Sequence, residues 1–136
     1  EDGAIDDEKN NRRFLNVIRR NAERMHHLID DVLELSSIEA GKISVEPTDV
    51  KLGALVDEVF TNLSGKANER SVTLVNDVKT GTLVFADRNR LEQMLTNFVD
   101  NAVKFNRPGG SVTVSHAANE TSDTIAVDDT GEGISA

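Results

Sequence analysis

One unbroken helical pattern fills the first third of the chain, and it limits what the chain can fold into. Ile18, Met25 and Val32 recur at heptad spacing, Phe14, Leu28 and Leu35 make a second row, and Leu15, Ala22 and Ile29 make a third. Together they form an apolar stripe on about three of every seven positions, the width expected of a helix in a bundle. A solitary helix cannot bury such a face, so the pattern requires partner helices. The acidic leader Glu1–Asp7 reads as a loop closing on an N-cap, with carboxylates complementing the helix dipole. The helix is expected to run to Ala40 and to be capped by Gly41.

The texture then changes. Ile43-Ser44-Val45-Glu46 alternates like a strand that Pro47 ends, and Leu52–Glu69 reads as an amphipathic helix with Leu55, Val56, Val59, Phe60, Leu63 and Ala67 on one side. Strands are expected at Val72–Val75 and Leu83–Ala86. Asp87 opens a third helix that continues to about Asn106. Two further strands, Ser111–Ala117 and Thr124–Asp128, flank the polar turn 119–122, and a glycine loop begins at Asp129. The predicted fold class is therefore α+β: a bundle-forming helix over residues 1–42, then a partial α/β sandwich over 43–136.

Composition narrows the chemistry. With 136 residues and no cysteine, disulfides, thiolate metal sites and thiol nucleophiles are excluded. A net charge of −9 argues against a general nucleic-acid binder, which needs clustered Lys and Arg. No apolar run approaches the ~20 residues that span a bilayer, so no membrane contact is expected from these residues.

Two patterns carry chemistry. On the third helix Asn97, Asn101 and Lys104 fall within about 60° of one another, with Leu91, Leu95, Phe98, Ala102 and Phe105 assigned to the opposite, buried face. Amide oxygens are hard ligands suited to Mg²⁺ and an ammonium meets phosphate, so the stripe suits a metal-bridged polyphosphate, though a merely solvated helix face fits the same residues. In Asp129-Thr130-Gly131-Glu132-Gly133 the glycines permit close approach to a planar ligand, and the carboxylate can accept from an exocyclic amine; alone, such a loop is often only a turn.

These segments carry a family resemblance. LIDDVLELSSIEAGK (residues 28–42) resembles the second helix of the dimerisation and histidine-phosphotransfer domain of sensor histidine kinases. ADRNRLEQMLTNFVDNAVKF (86–105) resembles that family's N box, and DTGEGI (129–134) its first glycine box, in family order and at family-like spacing. The resemblance covers essentially the whole chain. It implies that Asn101 is the Mg²⁺ ligand under the ATP phosphates, that Lys104 contacts those phosphates, and that Asn97 helps orient the transferring end. It further implies that Phe105 packs beside the nucleotide, that Asp129 recognises the adenine amino group, and that Gly131 and Gly133 shape the floor beneath the base. The implied partners are a response regulator receiver domain and a second copy of the chain, joined through the helical bundle, in the cytoplasm.

Departures from the family pattern bear on activity. The phosphoacceptor motif, histidine followed by an acidic residue and Leu-Arg-x-Pro, is not present, and His26, His27 and His116 lack its context. The family's phenylalanine box, ATP lid and second glycine box are not present either. The chain is thus expected to be a window through two domains that neither autophosphorylates nor holds ATP tightly. A non-catalytic dimerisation or regulator-docking module with a degenerate nucleotide site is the alternative. Arg12, Arg13, Arg19, Arg20 and Arg24 fit either a regulator contact or a solvated face.

Overall fold

The computed structural model describes residues 8–39 and 44–133. The chain divides into two compact units, Glu1–Ser44 and Val45–Ala136. Among the described residues of the first unit there is one helix, α1 (Glu8–Glu39). Its apolar rows are open: Phe14, Leu15, Ile18, Met25, Leu28, Ile29 and Val32 are all exposed, as a bundle helix without its partners must be. His26 is exposed on the same helix. The expected caps at the acidic leader and Gly41 lie outside the described residues.

The second unit has the order β1 (Thr48–Lys51), α2 (Leu52–Glu69), β2 (Thr73–Asp77), β3 (Leu83–Ala86), α3 (Arg88–Lys104), β4 (Ser111–Ala118) and β5 (Asp123–Asp129). Strands β1 and β3 pair antiparallel, while β2, β4 and β5 form a second sheet in that order. Within it β2 and β4 are parallel, which a hairpin cannot achieve; the chain crosses over through β3 and α3. Strands β4 and β5 are joined by a tight turn in which Asn119 Oδ1 accepts from the backbone N–H of Thr121 and of Ser122, both at 2.9 Å.

The apolar periods find each other in one core. Leu55, Val56, Val59 and Leu63 from α2 and Leu91, Leu95, Val99 and Val103 from α3 are buried with Val112 and Val114 of β4. Alternation along β4 puts those two valines on one face and leaves Ser111, Thr113 and Ser115 only partly covered on the other. The mixed helix-and-sheet class expected from the sequence is the class observed.

Several sequence expectations are corrected. The strand placed at 43–46 is not there: Ser44–Pro47 is irregular, Ile43 lies outside the described residues, and β1 begins only after Pro47. Proline offers no ladder donor, and the partner strand β3 aligns with the residues beyond it, Thr48 opposite Ala86 and Val50 opposite Val84. The Glu46 N–H bonds the Asp87 carboxylate instead, at 3.1 Å. Helix α3 ends at Lys104 rather than near Asn106, and Asp129 is the last residue of β5 rather than part of the loop. Phe98 and Phe105 are 56% and 63% exposed, so they do not belong to the buried face. At ~100° per residue they stand about 80–100° from the centre of the Leu95–Val99 face, on the border shared with Asn101.

Two measurements check this packing. Leu95→Ala should cost about 2–5 kcal/mol in denaturant unfolding, whereas Phe98→Ala should stay within about 0.5 kcal/mol. Equal losses would mean that Phe98 is a core residue after all. The second concerns Asp87, the N-cap of α3. Its carboxyl is held below the usual carboxylate range by backbone N–H groups, chiefly that of Glu46, with Arg90 and Asn89 adding to it. A depressed folded-state value contributes stability above the unfolded value and loses it as pH falls through the folded one. Asp87→Ala should therefore melt lower than the parent near neutrality, with the gap narrowing in strong acid; a gap unchanged by acid would contradict this account.

Candidate functional site

The site is assembled by the crossover. Helix α3 delivers the chain to the start of β4, and the β4–β5 register sets Val112 opposite Asp129, so the end of α3 and the end of β5 arrive side by side. Between them opens a cleft of about 870 Å³, within the range of small-ligand sites. Asn101, Lys104 and Phe105 line it from α3 and its C-cap, and Asp129 and Gly133 line it from the end of β5 and the loop beyond. These are five of the seven residues that the sequence singled out.

The other two stand apart from the lining. Asn97 is exposed one turn toward the N-terminus of α3, on the same side as Asn101 but outside the cleft wall. Gly131 sits behind the wall: its N–H donates to Asp129 Oδ1 at 2.7 Å, and a Cβ on it would come within 2.6 Å of the Phe105 carbonyl oxygen. Only glycine permits that approach. Gly133 has φ of +70°, a left-handed conformation that also favours glycine.

A hydrogen-bond hub locks the two walls together. Asn106, the residue after the α3 C-cap, accepts at Oδ1 from Thr130 Oγ1 at 3.1 Å and donates from Nδ2 to Ser111 O at 3.0 Å. Thr130 Oγ1 in turn accepts from the Ser111 N–H at 2.9 Å, and its own N–H donates to Ser111 O at 3.2 Å. Three short segments, the helix end, the strand start and the glycine loop, are thereby tied at one point.

The chemistry of the lining is divided. Asp129 Oδ1 is occupied by the Gly131 N–H, which orients the carboxylate and leaves Oδ2 as an acceptor. The Lys104 ammonium lies 4.8 Å from the centre of the Phe105 ring, a cation–π contact at the cleft edge. The Asn101 amide is exposed, and no group of three acidic or histidine side chains able to hold a metal occurs among the described residues. A cation here would be held by amide oxygen together with ligand oxygens, the manner in which Mg²⁺ with its few protein ligands is often bound. The glycine-made space beside Phe105 and the donor set both fit a metal–nucleotide.

Six lining residues were not anticipated: Arg70, Phe98, Ala102, Asn106, Val127 and Glu132. Phe98 was readable from its helical angle beside Asn101, and Asn106 and Glu132 abut the motifs. Arg70 caps the C-terminus of α2, far from both motifs in sequence, and no local spacing could have placed it here.

Comparison with known proteins agrees with this architecture. The family of histidine kinase-, DNA gyrase B- and HSP90-like ATPases matches residues 86–136. The His Kinase A (phospho-acceptor) domain matches residues 1–41. The sensor protein GacS of Pseudomonas syringae pv. syringae is 34% identical over 128 residues, 90% of this chain, of which this chain spans 14%. The histidine kinase AdeS of Acinetobacter baumannii superposes with a TM-score of 0.81 at 25% identity, covering 96% of this chain and 63% of AdeS. Full-length ShkA, solved in complex with AMPPNP, superposes with a TM-score of 0.77 at 28% identity over 91% of this chain and 27% of ShkA. Two family matches in their expected order, with kinase relatives along nearly the whole chain, agree with the cleft: the chain belongs to the sensor histidine kinases.

Proposed function

We propose that the cleft is the nucleotide site of a sensor histidine kinase that uses Mg·ATP to phosphorylate a histidine outside this chain and passes the phosphoryl group to a response regulator aspartate. The observation carrying this reading is the convergence of Asn101, Lys104 and Phe105 with Asp129 and Gly133 around one cleft. The relative solved with AMPPNP, an ATP analogue, supports it. Bound Mg·ATP supplies the transferable phosphoryl group, with the metal offsetting phosphate charge.

The protein's own contribution is positioning and charge. Asp129 Oδ2 accepts from the exocyclic amine of adenine, with the carboxylate already oriented by Gly131. The Phe105 and Phe98 rings supply apolar surface for the base and ribose. Asn101 gives its amide oxygen to the metal, Lys104 its ammonium to the phosphates, and Asn97, a turn further along the helix, faces the transferring end. His26, His27 and His116 are not the acceptor in this reading; His116 is already paired with Asp123 at 2.8 Å. The apolar rows of α1 are the dimerisation face, closed by the same helix of a second copy. No described helix is long and apolar enough to cross a membrane, and the reading assigns these residues to the cytoplasmic side.

Titration by NMR tests the site. Nucleotide binding should strengthen with Mg²⁺, Asn101→Ala should remove that magnesium dependence and weaken Mg·ATP about tenfold or more, and Asp129→Asn should weaken adenosine and ATP alike, each by about tenfold. Absence of binding in the parent chain and in both variants would favour the non-catalytic docking module instead. Incubation with radiolabelled Mg·ATP should leave the isolated chain unlabelled; phosphohistidine at His26 would overturn the assignment of the acceptor elsewhere.

A further inference from the structure

The cleft has an electrostatic difficulty that its motif residues leave unsolved. Its wall is the C-terminal end of α3, where unpaired carbonyls carry roughly −0.5 of an elementary charge. Anions are ordinarily bound at the opposite end of a helix. Asp129 and Glu132 add two carboxylates to the same lining, against the single ammonium of Lys104. On those groups alone the cleft repels a polyphosphate.

Arg70 changes the balance. It follows the last residue of α2, and its Nη1 donates to the carbonyl oxygen of Lys104, the last residue of α3, at 2.7 Å. That bond places a permanent charge against the negative end of α3. A guanidinium carries five N–H donors, so most remain available to the cleft that Arg70 lines.

We propose that Arg70 is a positioning residue that makes the C-terminal end of α3 tolerant of an anionic ligand, capping the Lys104 carbonyl and raising the potential where the phosphates rest. The inference rests on the nucleotide reading above and adds to it a residue from outside both motifs. Its signature is charge-selective: a neutral nucleoside sharing the same base should not depend on Arg70, whereas a helix cap with no other role would affect both ligands equally.

The test is titration of the full 136-residue chain with adenosine and with ADP, by NMR, at low and near-physiological salt, for the parent, Arg70→Gln and Arg70→Lys. Arg70→Gln should weaken ADP about three- to tenfold at low salt while leaving adenosine within about twofold, and the ADP deficit should shrink as salt rises. Arg70→Lys, which keeps the charge and loses the fork, should restore most of the ADP affinity. An equal loss for both ligands, or an ADP affinity unmoved by Arg70→Gln, overturns the proposal while leaving the nucleotide site intact. Failure of the parent chain to bind either ligand overturns the nucleotide reading itself, and this inference with it. Should Arg70→Gln unfold, Arg70→Lys and the parent decide: the parent's preference for ADP over adenosine must fall with salt, and a salt-independent preference rejects the electrostatic role.

Discussion

Everything at the candidate site depends on the parallel pairing of β2 with β4. Parallel neighbours must be joined by a crossover, and here the crossover contains α3. The helix can pack only through its Leu95–Val99–Val103 face, onto the Val112 and Val114 side of β4. Once that face is buried, the rotation of α3 about its axis is fixed, and with it the directions of Asn101, Lys104 and Phe105. The antiparallel return of β5 then brings Asp129 to the same end. The site needs no dedicated scaffold, because the core that stabilises the domain also aims its polar groups.

Much of this was legible beforehand because the informative signals were periodic. The bounds of α2 and β3, the Asp87 N-cap and the tight turn after β4 emerge from apolar spacing and turn chemistry alone. The failures have a common physical origin in information that local sequence does not hold. The segment 43–46 alternates like a strand, yet a strand exists only where a partner offers a ladder, and β3 offers it beyond Pro47. Phe98 and Phe105 are apolar and so look buried, but a border position on a helix is decided by what lies opposite it, and what lies opposite is the cleft. Arg70 is the extreme case, since only tertiary folding brings the end of α2 to the end of α3.

The two units also differ in how much of their apolar surface they satisfy. In Val45–Ala136 the apolar faces of both helices find the sheet and the core closes on itself. In α1 the equivalent rows remain exposed. One sequence thus combines a unit whose apolar faces are buried within itself with a helix whose burial depends on other helices.

The hub at Asn106 has a consequence for the thermodynamics of recognition. Both lone-pair directions of its oxygen are used, by Thr130 and by the Arg107 N–H, and its amide is anchored on Ser111. The backbone at the mouth of the cleft is thereby ordered before anything enters. A molecule arriving there has to quench the rotamers of a few surface side chains, Lys104 and Phe105 foremost, but not the freedom of the loop beneath them. The conformational entropy of this knot is lost once, at folding, and need not be lost again on association, which lowers the entropic cost of filling the cleft.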